Sequence, residues 1–365
     1  MTNEFKTTEE MLSTANKSMG NIVKNIIRLD FDEIDGFEFP LDQPFGLQVI
    51  YNDTLYCLVV RFSSKNKNLI CTGSGFHRRD SVLSNGEIRQ PPFFDRWSWY
   101  KYFKESYISY SDPFFFYDDE ITLGWFVGTK DEWYLNSLAE IIKKLADNQG
   151  IINDNMLFFG SSGGGYASVV LATLLKNSKA FINNAQLFLL NYNEPTLNKL
   201  FSLISPTFEG MSREEITEEI KYRLDIMELF EKEKYAPYII YYLNSESRGD
   251  ILDHAIPLFK KIRDSETYNG MNIVVYREVK EVPHQPMPND ISIEVIKKYS
   301  TELLYNTEEK TLKSNEYLIF NENNHTNELE NTIKSLKKER NDLFNSTSWK
   351  ITKPLRKIMH IIRKK

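Results

Sequence analysis

The sequence predicts an α/β fold, a mainly parallel sheet covered by helices on both faces. Three observations carry that expectation. Short β-branched runs alternate with helical spacings through the middle of the chain. One of those strands runs straight into a glycine-rich turn and a helix. The length, 365 residues, is enough for one large core with appendages.

Residues 1–45 read as an N-terminal lead-in with a weak amphipathic helix from Met11 to about Ile27. The main domain, 46–305, opens with the strand-like runs Leu47-Gln48-Val49-Ile50, Cys57-Leu58-Val59-Val60 and Leu69-Ile70-Cys71, parted by polar turns. A strand at 107–110 is ended by Asp112-Pro113. Leu135, Leu138, Ile141, Ile142 and Leu145 then keep helical spacing between Asp131, the expected N-cap, and Gly150. Strands at 156–159, 181–182, 238–243 and 273–276 follow, with a helical insertion over the sheet edge at 196–234. Residues 306–345 turn to Asn, Glu, Lys and Thr. They form a polar linker with one short helix (Leu329, Ile333, Leu336, Leu343), through which self-association is an open alternative. Residues 346–365 form a basic tail.

Hydrophobic (41%) and charged (26%) fractions are those of a globular protein. Net charge is -6, yet residues 349–365 carry seven Lys or Arg and no acid, so an acidic body bears a basic end. The first residues lack the pattern of a secretory signal, and no run approaches the roughly 20 apolar residues of a membrane span. A cytoplasmic protein is expected, with Cys57 and Cys71 as buried free thiols; a disulfide between adjacent strands is the alternative. No cofactor, metal or nucleic-acid partner is expected.

Phe158-Phe159-Gly160-Ser161-Ser162-Gly163-Gly164-Gly165-Tyr166 joins an apolar strand, G-x-S-x-G and a small-residue helix start. Small residues two before and two after Ser162 permit a tight turn that lifts its hydroxyl above the sheet. The helix that follows offers amide groups to a developing oxyanion. The pattern alone is weak, and its strand-before, helix-after setting is what favours a nucleophile elbow over a structural glycine loop. Ser162 is preferred to Ser161 as nucleophile. The partners expected of such a serine are an acid after a late strand and a histidine after the next one. Asp250 fits the first position, with Asp253 as the alternative, although Asp253 also suits a helix N-cap. His284, between Pro283 and Gln285-Pro286, fits the second. His77, His254, His325 and His360 do not. The strand ending Cys71-Thr72-Gly73-Ser74-Gly75-Phe76 puts the amide of Phe76, or a neighbour, beside that of Gly163 as oxyanion donors; a plain Gly/Ser turn is the alternative.

Together with Phe93-Phe94-Asp95-Arg96-Trp97-Ser98-Trp99, Ser111-Asp112-Pro113, Gly124-Trp125 and Asn183-Asn184-Ala185-Gln186, these motifs resemble the α/β-hydrolase superfamily over roughly residues 46–300. Within it they are most similar to the hydrolase-like proteins of bacterial capsule and cell-surface glycan loci, which include the accessory-secretion acetyltransferases. Ala185 stands where a proline is expected. The resemblance implies an α/β-hydrolase fold and serine-dependent acyl hydrolysis or O-acyl transfer on a glycan or lipid-linked glycan. Its alternative is a non-catalytic scaffold that partners glycosyltransferases at the membrane.

Residues 93–134 hold 17 aromatics. Most are expected in the core, while Arg96 and Trp125 are candidate substrate contacts. The segment 346–356 is similar to the sequence that often ends bacterial glycosyltransferases of surface-polysaccharide pathways. From Pro354 onward, Leu355, Ile358, Met359 and Ile362 share a helical face, with Arg356, Lys357, Arg363 and Lys364 elsewhere and Trp349 at the boundary. That pattern suits an anchor on an anionic membrane surface, at the inner face of the cell membrane; a solvated tail is the alternative.

Overall fold

The computed structural model describes residues 7–83, 86–262, 270–305 and 338. Its main compact unit is Met1–Asn306. The short helix and basic tail read from the sequence lie outside the described residues, Lys338 apart.

The strands are β1 (Ile26–Asp30), β2 (Phe45–Tyr51), β3 (Thr54–Arg61), β4 (Leu69–Gly73), β5 (Ser106–Tyr110), β6 (Met156–Ser161), β7 (Lys179–Asn183), β8 (Tyr238–Asn244) and β9 (Met271–Tyr276). The α-helices are α1 (Thr8–Gly20), α2 (Phe114–Tyr117), α3 (Tyr134–Asn148), α4 (Gly163–Leu174), α5 (Glu194–Ile204), α6 (Arg213–Glu219), α7 (Ile226–Glu233), α8 (Ile256–Ile262) and α9 (Asn289–Leu304). One sheet runs β1-β2-β3-β5-β4-β6-β7-β8-β9. Its pairs are parallel except β2 with β3 and β3 with β5, so β3 alone runs against the rest.

Side chains alternate across this sheet as the period-2 pleat requires. On β6, Phe158 packs in the large cluster with Leu138 and Ile142 of α3 and Val169 and Val170 of α4. Its neighbours Leu157 and Phe159 point the other way, joining Trp99, Phe181 and, from α9, Ile293, Ile296 and Tyr299. Each such fully buried side chain contributes about 1.5–3 kcal/mol. The strands that carry the site are therefore held from both faces.

Two local expectations change, while the free thiols and the helical insertion are as expected. The N-terminal helix stops at Gly20, because Ile26 and Ile27 enter β1, paired in parallel with β2. The lead-in is thus built into the sheet, with Met11, Ala15 and Met19 packed on Leu55, Cys57 and Val59. Asp131 does not cap α3, which begins at Tyr134 after Trp133 with no side-chain cap. Cys57 and Cys71 are free and buried on β3 and β4, which β5 separates, and burial pushes both thiols up. The helical insertion is present as α5, α6 and α7, between β7 and β8.

Candidate active site

At the end of β6 the chain turns through Ser162, whose φ of 54° and ψ of -126° lie outside the comfortable range of a residue with a side chain. The turn is tight enough that a Cβ on Gly160 would meet the carbonyl oxygen of Gly164 at 2.1 Å, so only glycine fits there. Besides the first bonds of α4, the strained residue is tied to the neighbouring chain: Ser162 N–H donates to Asn183 O at 3.2 Å, and Ser162 O accepts from Gln186 N–H at 3.2 Å.

His284 Nε2 lies 2.8 Å from Ser162 Oγ, and His284 Nδ1 lies 2.8 and 2.9 Å from the two carboxylate oxygens of Asp250. Asp250 is nearly buried, with 4% of its side chain exposed against 37% for His284, and Ser247 Oγ donates to its second oxygen. In this line the histidine donates from Nδ1 and accepts at Nε2, the tautomer a general base next to a serine needs. The three side chains come from three separate loops, after β6, β8 and β9.

The histidine loop is fastened by asparagines. Asn244 Nδ2 donates to Pro283 O (3.1 Å) and Glu278 O (2.9 Å), and Asn184 Nδ2 donates to Gln285 O (3.2 Å). Asn183 Oδ1 accepts from Met287 N–H at 2.8 Å. Asn184 Oδ1 in turn accepts from Asn244 N–H at 2.9 Å, so the ends of β7 and β8 act as one clamp.

From β2 to β9 the sheet has eight strands, the second reversed, with β5 lying between β3 and β4, and a strained serine joins the fifth of them to a helix. The fold is that of the α/β-hydrolases. No family model matches the chain, and no curated protein does. Among solved structures it is similar to the capsule O-acetyltransferase of Neisseria meningitidis serogroup A (13% identity, 70% of this chain and 96% of that one, TM-score 0.49). It is also similar to FphF, a fluorophosphonate-binding serine hydrolase of Staphylococcus aureus (14%, 72% and 98%, TM-score 0.43). A third is an esterase/lipase from an uncultured bacterium (11%, 75% and 90%, TM-score 0.44). The strand order and the elbow carry the fold assignment by themselves.

In this hydrolase fold the other serine of the turn, Ser161, accepts from Arg96 Nη2 at 2.7 Å and makes no bond to His284. Asp253 neither joins the line nor caps a helix. It sits within a wide helical turn, Asp250–Ala255, whose start has no side-chain cap. Its carboxyl is pushed up by partial burial and by Asp250 nearby. His254 is buried, and its Nδ1 accepts from Phe188 N–H at 3.3 Å. Burial, reinforced by His284, lowers its pKa to about 4 against the pull of Asp250, which keeps it a neutral acceptor.

On the opposite flank, the loop after β4 lies against the start of α4: a Cβ on Gly164 would come 3.0 Å from Gly73 O. Phe76 extends beyond it with 51% of its surface exposed. Arg96 is partly exposed and stacks its guanidinium on Trp99 and Phe159 (5.4 and 5.1 Å).

Trp125 corrects the sequence reading. It is 1% exposed, its indole N–H donates to Gln186 Oε1 at 2.8 Å, and it packs edge-on to Tyr192, so it offers no face to a sugar. Asp112 draws it under the elbow by accepting from Phe126 N–H (2.8 Å) and Phe114 N–H (3.0 Å) across a turn in which Trp125 and Phe126 both have positive φ. The asparagine clamp and the tethering by Asp112 have no signature in the sequence, although Asn183, Asn184 and Asp112 stand within the quoted motifs. Side-chain to backbone bonds between distant loops leave no periodicity to read.

Proposed function

We propose that the protein is a serine-dependent acyl hydrolase or O-acyltransferase. The line Asp250–His284–Ser162, with its serine held at φ 54° on the elbow, carries this reading. His284 Nε2 takes the proton from Ser162 Oγ as that oxygen attacks the acyl carbonyl, and Asp250 stabilises the imidazolium. The carbonyl oxygen becomes an oxyanion facing the amides of Gly163 and Phe76. When the tetrahedral species collapses, His284 returns the proton to the leaving oxygen or sulfur and an acyl-serine remains. Water or a hydroxyl then gives its proton to His284, attacks the acyl carbon and frees Ser162. Hydrolysis and transfer share every one of these groups and differ only in that last nucleophile.

The substrate in this reading is a bacterial cell-surface glycan or its lipid-linked precursor. Support comes from the sequence resemblance and from the basic amphipathic tail, which would hold the enzyme on an anionic membrane surface beside glycosyltransferases. Among the described residues no helix is long and apolar enough to cross a membrane. Arg96 remains the substrate contact; Trp125 does not. A fluorophosphonate probe should label the purified protein at one serine. Ser162→Ala should abolish labelling and reduce ester turnover on the order of 10³-fold or more while the protein stays folded. A wild-type protein that takes no label would point to the scaffold instead, and label retained in Ser162→Ala but lost in Ser161→Ala would move the nucleophile.

A further inference from the structure

The geometry points to Asp95 as a positioning residue that fixes the oxyanion side of the site, an inference that rests on Ser162 as nucleophile and on the Phe76 amide as oxyanion donor. Asp95 Oδ2 accepts from Gly75 N–H at 2.9 Å, one residue before Phe76. Gly75 itself lies against the elbow, since a Cβ there would sit 3.6 Å from Gly164 N and 3.7 Å from Ser161 O. The next residue, Arg96, binds Ser161 Oγ at 2.7 Å, one residue before Ser162. Two consecutive residues therefore hold both halves of the oxyanion hole, the loop after β4 and the end of β6.

That short segment is itself over-determined. Asp95 O accepts from Ser109 Oγ at 2.9 Å, and Arg96 O accepts from Tyr107 OH at 2.9 Å, which ties both residues to β5. Arg96 is left-handed, with φ 58°, a conformation that costs free energy in any residue but glycine and persists only where neighbours impose it. The carboxylate stays charged although burial alone would push its pKa up. His77, with Nε2 3.5 Å away, Arg96 and the Gly75 amide outweigh burial and bring it down to about 2. A third of its side chain is exposed, so burial opposes the charge only in part. A charged acceptor binds an amide more strongly than a neutral one. The loop therefore stays in place as the oxyanion forms, and it needs no reorganisation at the moment of reaction.

The test is steady-state turnover of p-nitrophenyl acetate, with the rate of fluorophosphonate labelling, in folded Asp95 variants. Asp95→Ala should lower kcat on the order of 10²-fold with KM changed by no more than about threefold, because an oxyanion hole acts on the transition state and not on bound ester. Labelling, which passes through a similar charged species, should slow in parallel. Asp95→Asn keeps an oxygen that can accept from Gly75 and should recover most of the loss. If Asp95→Ala does not fold, Asp95→Glu, which keeps the charge but moves the acceptor by one methylene, should show the kcat loss instead. Wild-type kcat in folded Asp95→Ala or Asp95→Glu overturns the proposal, as does an Asp95→Asn variant as impaired as Asp95→Ala. An unlabelled wild-type protein defeats the reading of Ser162 itself; a labelled wild type beside an unimpaired Asp95→Ala defeats only the role of Asp95.

Discussion

Asp250 and His284 meet on the loops that follow β8 and β9, whereas Asp95 and His77 meet on the long connection between β4 and β5. Both are Asp–His pairs at the edge of the sheet where Ser162 sits. In the first, Nδ1 is 2.8 Å from the carboxylate and Nε2 is 2.8 Å from the serine. In the second, Nε2 stops 3.5 Å from the carboxylate while the ring stacks on Phe93 at 5.0 Å and meets Phe115 edge-on. His77 is thus spent on packing, and its aspartate is turned to a backbone amide instead. Identical residue types at one edge take different parts because one histidine rides on a loop clamped by Asn184 and Asn244, and the other on a loop buried among aromatic rings.

The largest effect expected from breaking this comparison is at the histidines. His284→Ala should reduce ester turnover by more than about 10⁴-fold, the scale of losing the general base itself. His77→Ala should cost about tenfold at most, by loosening one support of Asp95. Equal losses in the two variants, measured on folded protein, would erase the distinction drawn between the pairs. Next comes the acid. Asp250→Asn should lower kcat by about 10³–10⁴-fold, because the amide no longer selects the tautomer that leaves Nε2 free to accept. Asp253→Asn should leave kcat close to wild type, since its carboxylate touches neither His284 nor a helix start. The reverse ranking would exchange their roles.

A smaller effect concerns pH and the two carboxylates that shape the loops near the elbow. Asp95 is held low, at about 2, whereas burial raises Asp112 to about 7, because the amides of Phe126 and Phe114 only partly offset the loss of water. A raised carboxyl binds its proton more tightly in the native state than in the unfolded chain, whose value is 3.8. Its contribution to stability is therefore greatest in acid and falls as pH rises from about 4 to about 7. Asp95 works the opposite way: its contribution is complete above about 4 and disappears towards about 2. Denaturant unfolding between pH 4 and pH 8 should show Asp112→Asn losing less stability with rising pH than wild type; parallel curves would rule this out.

The smallest effect on catalysis should come from the tail. A protein ending at Asn345 should turn over a soluble ester as the full chain does, since every group described in the site lies between Gly73 and Met287. It should also lose salt-sensitive co-sedimentation with anionic vesicles, each Lys or Arg at such a surface contributing about 1 kcal/mol. Equal sedimentation of both forms would leave the tail as a solvated extension.

The sequence by itself determined the strand-to-helix alternation and the glycine-rich elbow, and it pointed to Ser162, Asp250 and His284, whose side chains the fold brings into one hydrogen-bonded line. Each of these is written in local patterns: apolar periodicity, glycines where a turn admits no Cβ, and a fixed order of loops after successive strands. It also determined that most of the aromatics between residues 93 and 134 would be core, as Phe93, Phe114, Phe115 and Phe126 are. Only the tertiary structure decided that Ile26 and Ile27 continue the sheet rather than the first helix. Parallel pairing with β2 supplies hydrogen bonds that local propensity cannot anticipate. It alone decided that Trp125 lies under the elbow rather than lining a sugar site, because the carboxylate of Asp112, 14 residues from Phe126, sets that turn. The tether from Asp95 to Gly75 spans 20 residues, and the clamp from Asn184 to Gln285 spans 101. Such bonds depend on where folded loops converge, and a linear sequence carries no distance between residues that meet only after the sheet has formed.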